Sequence, residues 1–362
     1  MKKVWKGLAI LLAAAVVVVG GYLAYVFITY YRLPDMIYGV DVNDEYYKDA
    51  LPPELDGRRS LDIVTWNLGF GAYSADYSFF MDGGTESRAY SKEAVLKNIG
   101  HALDVLEAES PDFMLLQEID TNSTRSYHVN EAELIRERFD RQVYFAQNYD
   151  SPYLFYPILR PHGASLSGLM TLSDEYISKR LRRSLPIESG FMKFLDLDRC
   201  YSKSYIEVEG TDRQLILYNL HLSAYTSDGT IATEQLKLLC ADMLEEYRSG
   251  NYCVAGGDFN KDVLGNSGEV FGVNLDGLTW AQPIEADLVP EGLQLVRSLD
   301  ADNPVPSCRN ADGPYVPGES LVLTVDGFIV SDNVTVEDCR VIDEGFACSD
   351  HNPVKMTFTL NE

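Results

Sequence analysis

Residues 61–69, LDIVTWNLG, and residues 113–118, FMLLQE, decide the fold of this 362-residue chain. Each is a short apolar run that stops abruptly at polar residues, which is the pattern of a buried strand followed by a loop. Between them, apolar residues recur at helical spacing, and the pattern ends before Pro111. These residues are Val95, Ile99, Ala102, Leu103 and Leu106. A strand, a helix and a second strand in this order indicate the opening of a layered α/β domain.

The rest of the chain continues this alternation of strands and helices. Helices are predicted at 131–139 and 236–244, and strands at 167–172, 205–208, 215–220, 252–255, 321–330 and 354–360. The strands 205–208 and 215–220 are expected to form a hairpin pair. Residues 261–320 are rich in Gly, Pro and Asp, and because a connection of that length is unusual, we expect it to form a functional surface.

The N-terminal segment is expected to span a membrane. Lys2, Lys3 and Lys6 precede an uncharged run, residues 7–31, that as a helix is long enough to cross a hydrocarbon core of about 30 Å. A cleaved signal peptide shares the basic start, but its apolar region normally has only about 7–15 residues and ends at a small-residue site. The run here ends instead in aromatic residues typical of a bilayer interface. These are Tyr22, Tyr25, Phe27, Tyr30 and Tyr31.

The lysines also predict the orientation and the domain boundaries. Basic residues favour the cytoplasmic side, so the chain is expected to be a single-pass membrane protein with everything after Arg32 outside the cytoplasm. Residues 1–31 are then the anchor, and residues 32–60 are an acidic, proline-containing stalk that partly packs on the domain. Residues 61–362 are predicted to form one catalytic domain.

The charge balance restricts the class of partner. The chain has 30 Lys and Arg against 55 Asp and Glu, a net charge of −25. Because residues 1–31 contribute +3 and no acid, the remainder carries −28. A domain this acidic will not bind a polyanion through bulk electrostatics. Any phosphate chemistry must therefore use local positive charge or a bound metal ion.

Six cysteines all follow the anchor: Cys200, Cys240, Cys253, Cys308, Cys339 and Cys348. An even number outside the cytoplasm permits disulfides, although a domain of this size does not need them. Cys240 and Cys253 fall in helical and strand patterns, which favour buried thiols. Cys308, Cys339 and Cys348 fall in predicted loops, where one bridge is an alternative to free thiols.

Polar clusters follow or interrupt six of the predicted strands. They are Asn67; Glu118; Asn219 with His221; Asp258 with Asn260; Asp326; and Asp350 with His351. A single acid after a strand is commonly an N-cap or turn residue. Six clusters in one domain instead predict loops that converge at one rim of a sheet.

These residue types suit the attack of water on phosphorus. Glu118, Asn67 and one aspartate offer the oxygen ligands that Mg²⁺ prefers, and leave water on the ion. His351 is a candidate proton acceptor if Asp326 holds its other ring nitrogen. A metal ion would neutralise the charge that develops on the phosphoryl group.

The order of these motifs resembles the endonuclease/exonuclease/phosphatase superfamily, also called DNase I-like. The matching motifs are Trp66-Asn67, Gln117-Glu118, Asn219-Leu-His221, Gly257-Asp258-Phe-Asn260, Val325-Asp326-Gly-Phe and Ser349-Asp350-His351-Asn-Pro353. The resemblance covers residues 61–360. It implies an α/β fold, a four-layer α-β-β-α sandwich, and a divalent-metal-dependent phosphoesterase.

Carried over by position, the resemblance implies a role for each motif residue. Glu118 would be the principal Mg²⁺ ligand, with Asn67 beside it and Asp350 in the metal shell; Mn²⁺ is a possible substitute. His351 would be the general base, oriented by Asp326. The water and the phosphate group would be positioned by Asp258, Asn260 and His221. Independently of the resemblance, the expected substrate-binding residues are Arg125, His128, Asn219 and Arg309; for residues 125–128, which follow Glu118 and could clamp a phosphate group, a polar loop leading into the next helix is the alternative.

Three functional hypotheses follow. The leading one is a membrane-anchored, extracytoplasmic phosphodiesterase acting on a small or lipid-linked phosphoester. A surface nuclease is the first alternative, but residues 179–183, KRLRR, are the main basic stretch, and we interpret them as a solvated loop that contacts anionic lipid rather than nucleic acid. A non-catalytic binding module is the second alternative, against which the complete motif set argues. The motifs are compatible with hydrolysis of either a phosphodiester or a phosphomonoester, and with either one or two metal ions.

Overall fold

The computed structural model describes residues 2–39, 54–194, 197–224, 230–275, 278–297, 300 and 303–361. Its α-helices are α1 (Lys2–Thr29), α2 (Lys92–Glu109), α3 (Glu131–Arg138), α4 (Thr230–Arg248) and α5 (Ser267–Phe271). Its strands are β1 (Met36–Tyr38), β2 (Leu61–Asn67), β3 (Phe113–Asp120), β4 (Gln142–Asp150), β5 (Leu166–Ser173), β6 (Lys179–Ser184), β7 (Cys200–Glu207), β8 (Gln214–His221), β9 (Tyr252–Asp258), β10 (Leu293–Val296), β11 (Cys308–Arg309), β12 (Val322–Leu323), β13 (Asp326–Ser331), β14 (Val334–Val341) and β15 (Val354–Leu360). The predicted strand–helix–strand opening and the hairpin pair of β7 and β8 are confirmed.

The strands form two large sheets. The first has the order β1-β6-β7-β8-β9-β13-β10, and the second has the order β14-β15-β2-β3-β5-β4. The pairs β2–β3 and β8–β9 run parallel, and the other neighbours in these two sheets run antiparallel. The short strands β11 and β12 form a separate antiparallel pair.

The period-two alternation of β2 explains the layers. Leu61 and Ile63 are buried between the two sheets, whereas Val64 and Trp66 are buried against α2 on the outer face. Fully burying an apolar side chain of this size contributes about 1.5–3 kcal/mol. On the far side of the molecule, the apolar stripe of α4 covers the first sheet. The arrangement is the predicted four-layer α-β-β-α sandwich.

Strand register brings the polar strand ends to one rim. In the second sheet, Asn67 lies opposite Gln117. In the first sheet, His221 lies opposite Asp258, and Asp258 lies opposite Asp326. Because the parallel strands β2, β3, β8 and β9 all end at this rim, residues separated by more than 150 positions become neighbours.

Helix α1 has the length and apolar character expected of an anchor. Among the described residues it is the one helix long and apolar enough to cross a membrane, a character that a signal sequence shares. Its final turns pack on the domain: Val26 is buried, and the ring of Phe194 lies 4.7 Å from that of Phe27 and 4.8 Å from that of Tyr30. The end of the helix is therefore held against the domain surface.

Both ends of the segment 32–60 also contact the domain. Met36–Tyr38 is the edge strand β1, which pairs with β6. Leu55 is buried, and its N–H donates to the carbonyl of Glu207 at 2.8 Å. Residues 40–53, which form the acidic centre of the predicted stalk, lie outside the described residues.

The interpretation of residues 179–183 as a solvated basic loop is wrong. These residues form β6, an inner strand between β1 and β7. Arg182 is buried and donates from Nε to the carbonyl of Gln147 at 2.6 Å, and Arg180 donates to the Gln142 side chain at 2.8 Å. Because these guanidinium groups have partners inside the protein, they do not form a surface for lipid or nucleic acid.

The cysteines form no bridge. All six are free, and Cys240 and Cys253 are buried as predicted. The alternative of a disulfide among Cys308, Cys339 and Cys348 is wrong because none of the three is paired.

Candidate active site

The predicted polar clusters converge on one cavity of about 880 Å³. The motif residues that line it are Asn67, Glu118, His221, Asp258, Asn260, Asp350 and His351. Asp326 lies directly behind His351. The segment 261–320 contributes Trp280, Cys308 and Arg309 to the wall, so part of this long connection does border the cavity.

Two glycines allow the strand ends to approach so closely. A Cβ atom on Gly257 would lie 2.0 Å from the carbonyl oxygen of Leu220, so the parallel strands β8 and β9 meet here only with glycine. Gly69, at φ +53°, follows β2; a Cβ there would lie 2.7 Å from the Tyr73 ring and 3.0 Å from Asp350 Oδ1. Any larger residue at either position would push the site apart.

His351 and Asp326 form a buried hydrogen-bonded pair. The Nδ1 of His351 lies 2.8 Å from Asp326 Oδ2, which also accepts the Ser307 hydroxyl at 2.7 Å. Burial lowers the pKa of His351, but the Asp326 carboxylate outweighs that effect and holds the pKa well above its ordinary value. With Nδ1–H donating to Asp326, Nε2 of the ring lies 3.7 Å from Cys308 Sγ and 3.8 Å from Asp258 Oδ2. The pair therefore has the geometry of an oriented base.

Asp258 is held by donors on both of its oxygens. Oδ1 accepts the Asn260 backbone N–H at 2.8 Å, and Oδ2 lies 3.2 Å from the Asn67 amide nitrogen and 3.5 Å from His221 Nε2. Burial raises the pKa of Asp258 to about 7. Burial also lowers the pKa of His221 well below its ordinary value, so this imidazole is neutral.

Glu118 and Asp350 are the groups best suited to hold a cation. Glu118 lies in the left-handed region at φ +56°, beside an irregularity in the pairing of β3 with β5. Burial raises the pKa of Asp350, and the nearby Glu118 carboxylate raises it further. A divalent ion held between Asp350 and Glu118 would favour the charged form of Asp350. The donor set therefore fits the predicted Mg²⁺.

The side chain of Asn67 turns its amide nitrogen, rather than its oxygen, toward Glu118. Its amide oxygen accepts the Gly69 N–H at 3.0 Å, and its amide nitrogen lies 3.4 Å from Glu118 Oε1. In this orientation Asn67 positions Glu118, and direct ligation of a cation by its oxygen would need the amide to be turned over.

A second group of possible ligand atoms surrounds the His351–Asp326 pair. One ligand atom each from Asp258, Asp326 and His351 lie within 4.8 Å of one another, so this group could also hold a metal ion. Asp326 Oδ2 accepts from Ser307 and from His351, whereas Asp326 Oδ1 is buried without a hydrogen-bond partner. Because the Asp326 hydrogen bond orients the His351 ring, these residues are the candidates for proton transfer, and Glu118 with Asp350 are the candidates for the cation.

Arg125 and Arg309 line the cavity, as predicted, but both are engaged within the protein. Arg125 makes two hydrogen bonds to Asp120, at 2.9 and 3.1 Å, and its Nη1 lies 3.8 Å from Glu118 Oε2. Arg309 donates from Nη2 to the carbonyls of Ser74 and Tyr77, at 3.1 and 3.2 Å. Both guanidinium groups bring positive charge to the cavity, but most of their N–H groups donate hydrogen bonds to other protein groups.

The structure corrects the predicted substrate-binding roles of Asn219 and His128. Asn219 is buried between the sheets, where its amide nitrogen donates to the carbonyls of Leu116 and Met170, both at 3.1 Å. It thus joins the sheets beneath the cavity. His128 does not border the cavity, and its Nδ1 lies 2.7 Å from the Asn122 side-chain oxygen.

Sequence reasoning missed the apolar wall of the cavity. Its members are Tyr22, Phe79, Phe80, Met81, Leu154, Phe155, Tyr156, Ile158 and Leu197. The contiguous apolar run at 154–159, LFYPIL, is the one signal that could have indicated it. The wall matters because it makes most of the cavity apolar around a polar floor.

No family model and no curated protein matches the sequence. Solved structures do match. An endonuclease/exonuclease/phosphatase from Beutenbergia cavernae DSM 12333 is 16% identical over 84% of this chain and 72% of that chain, with a TM-score of 0.57. An endonuclease/exonuclease/phosphatase from Bacteroides vulgatus is 14% identical over 84% and 100%, and a family protein from Leptotrichia buccalis C-1013-b is 14% identical over 83% and 100%, both with a TM-score of 0.53. At these identities the likeness shows the fold, which is the one that the motifs imply.

Proposed function

We propose that this chain is a divalent-metal-dependent phosphodiester hydrolase, held at a membrane by α1 with its catalytic domain outside the cytoplasm. The observation that carries the proposal is the His351–Asp326 pair, which turns Nε2 toward Asp258 in the cavity that also holds Glu118 and Asp350. The fold shared with proteins described as endonucleases, exonucleases and phosphatases supports phosphoester chemistry.

In this proposal Glu118 and Asp350 hold Mg²⁺, or Mn²⁺ in its place, and Asn67 orients Glu118. When bound, the cation supplies positive charge against the oxygens of the phosphoryl group. The domain needs it, because the chain outside residues 1–31 carries −28 and the cavity arginines are engaged with protein groups.

His351 performs the proton transfer. In the neutral form of His351, Nε2 takes a proton from the attacking water, and the Asp326 carboxylate, which raises the pKa of His351, stabilises the imidazolium that results. Asp258 and Asn260 align the water. His221 is neutral, so it can donate one hydrogen bond to a phosphate oxygen.

The membrane part of the proposal rests on α1. Lys2, Lys3 and Lys6 lie at the start of the helix and favour the cytoplasmic side. The nuclease alternative loses the support of β6, because Arg180 and Arg182 are buried. A small or lipid-linked phosphoester is therefore the favoured substrate.

The test uses the full-length protein in detergent with bis-p-nitrophenyl phosphate. We expect EDTA to abolish hydrolysis and Mg²⁺ or Mn²⁺ to restore it. His351→Ala should lower kcat by about 10²–10⁴-fold because the base is lost. The matched control is His101→Ala, since His101 is exposed on α2 and contacts Glu344.

Three results would count against the proposal. One is inactivity of the folded wild type with every divalent metal, and another is an equal loss in both histidine variants. Efficient nicking of plasmid DNA or RNA at physiological salt would instead favour the nuclease.

A further inference from the structure

An apolar rim borders the mouth of the active-site cavity. We call residues 154–159, LFYPIL, the rim loop. Ile158 is 83% exposed and Leu159 is 100% exposed, and Phe155, Tyr156 and the neighbouring Met81 are each at least half exposed. Large contiguous apolar patches on a protein surface mark sites of contact with a membrane or a partner.

The rim loop is fixed in shape by hydrogen bonds at its base. The N–H groups of Leu154 and Gly163 each donate to the other's carbonyl at 3.0 Å. Arg160, the next residue after the loop, donates to the carbonyl of Ala89 at 2.8 Å, and the N–H of His162 donates to the carbonyl of Tyr156 at 3.0 Å. The apolar tip is therefore held outward by a polar base.

The rim loop begins beside the end of α1. The Tyr22 hydroxyl donates to the carbonyl of Tyr153 at 3.2 Å, and the Tyr153 N–H donates to the Tyr25 hydroxyl at 3.1 Å. The rings of Tyr22 and Phe155 meet edge to face at 5.3 Å. The loop and the helix are thus in direct contact.

The helix sets the depth of this contact in a bilayer. About 20 helical residues cross the hydrocarbon core, so a span that begins at Gly7 ends near Val26. Tyr22 and Tyr25 then lie near the boundary on the domain side, where tyrosine is favoured. The exposed side chains of the rim loop lie next to that boundary.

The cavity is continuous from this boundary to the catalytic groups. Tyr22, Phe155 and Ile158 line the same space as Glu118 and His351. A volume of about 880 Å³ suits a ligand larger than a phosphate group. A soluble phosphoester has no use for an apolar wall that leads to the anchor helix.

We propose that the substrate is a membrane lipid with a phosphodiester headgroup, which enters the cavity from the leaflet on the domain side. This rests on the proposed hydrolase function. The acyl chains lie along the rim loop, and the phosphorus reaches His351. Water forms the new P–O bond, the ester P–O bond breaks, and the proton taken by His351 passes to the leaving alkoxide. The products are an alcohol and a phosphomonoester.

The first experiment reads membrane contact without using activity. Full-length protein carrying Leu159→Cys is labelled with the fluorophore NBD and reconstituted in vesicles of phosphatidylcholine, phosphatidylethanolamine and phosphatidylglycerol. The matched control is Leu96→Cys, since Leu96 is exposed on α2 among the charged residues Lys92, Glu93 and Lys97. Native thiols should label slowly, because burial raises the pKa of the most accessible one, Cys339, to about 12.

We expect the probe at 159 to shift to the blue and to be quenched by doxyl-labelled lipid, while the probe at 96 stays in water. Identical, water-like emission at both positions would overturn the membrane contact. A shift that needs an added protein rather than lipid would also overturn it.

The second experiment compares two substrates. The rate of lipid hydrolysis in the same vesicles is measured by ³¹P NMR. It is then divided by the rate of bis-p-nitrophenyl phosphate hydrolysis. We expect Leu159→Asp to lower this ratio about tenfold or more, because a charge at the bilayer is unfavourable, and Leu96→Asp to leave it unchanged.

The outcomes separate the two proposals. Cleavage of the soluble diester without cleavage of any lipid overturns the lipid substrate and leaves the hydrolase in place. Failure to cleave either substrate overturns the hydrolase, and with it the lipid substrate.

Discussion

Asp242 on α4 and Asp258 at the end of β9 are both buried, yet their pKa values shift in opposite directions. Burial raises the pKa of Asp242, but Lys203 and its hydrogen bond outweigh that effect, so the net pKa is lowered. Burial raises the pKa of Asp258 to about 7, and the nearby His351 does not reverse it. The difference lies in what the protein places beside each carboxylate.

The surroundings of Asp242 supply its own positive charge. Lys203 on β7 donates to Asp242 at 2.6 Å and to Glu246 at 2.7 Å, and Arg183 on β6 donates to Asp242 at 2.8 Å. These ion pairs fasten α4 to the first sheet. We call Arg183, Lys203, Asp242 and Glu246 the paired cluster.

The active site lacks an equivalent lysine among the residues that line the cavity. Glu118, Asp258 and Asp350 share that cavity, and the guanidinium group of Arg125, which lies 3.8 Å from Glu118, is bonded to Asp120. Asp242 is thus neutralised by the protein's own cations, whereas Asp258 and Asp350 are buried with raised pKa values in a cavity that has room for an external cation.

Breaking the paired cluster should have the largest effect on stability. Lys203→Met leaves Asp242 and Glu246 without their shared partner, so we expect a loss of about 3–5 kcal/mol in the free energy of unfolding. Denaturant unfolding measures it. Lys237→Met is the control, because Lys237 makes an exposed pair with Glu234 on the same helix and should change stability by less than about 0.5 kcal/mol. Similar losses in both variants would contradict this account.

Removing an active-site acid should raise, rather than lower, the free energy of unfolding. In EDTA, the folded protein keeps a proton on Asp258 up to about pH 7, whereas the ordinary value is 3.8, so this group lowers stability as pH rises from about 4 to 7. Asp258→Asn should therefore be more stable than the wild type above pH 7, by up to about 4 kcal/mol, and lose the advantage toward pH 4.

Asp242→Asn is the contrasting variant for this measurement. The lowered pKa of Asp242 stabilises the fold above the ordinary value near 4, and this contribution is lost as pH falls through the folded-state value. Asp242→Asn should thus be less stable than the wild type at pH 7. If both asparagine variants are less stable than the wild type at pH 8, Asp242 and Asp258 do not contribute to stability with opposite signs.

The sequence could predict the active-site floor because its residues follow a local rule. Asn67, His221 and Asp258 each end a strand with a clear apolar pattern, and strand register then brings the ends together. His351 and Asp326 were recognisable from their motifs alone. Their hydrogen bond confirms the predicted pairing.

The failures come from partners that are distant in sequence. Asn219 looks like another polar strand end, but its partners are carbonyls of Leu116 and Met170 in the other sheet. From the sequence alone, Arg182 is expected to be exposed. In the fold, its Nε donates to the carbonyl of Gln147, a partner that the sequence does not reveal. The apolar side of the cavity depends on contact between α1 and the rim loop, which are separated by more than 120 residues and share no periodicity.

A smaller effect tests directly whether Glu118 and Asp350 bind a cation. At ten times its Kd, Mg²⁺ should stabilise the wild type by about 1.4 kcal/mol and raise Tm by about 3 °C. Glu118→Gln and Asp350→Asn should lose this increase, because each removes a carboxylate ligand, whereas Glu246→Gln in the paired cluster should keep it. Thermal unfolding with and without Mg²⁺ provides the measurement. If Glu118→Gln retains the full increase, the cation binds elsewhere, and the group of Asp258, Asp326 and His351 becomes the metal site rather than the proton-transfer site.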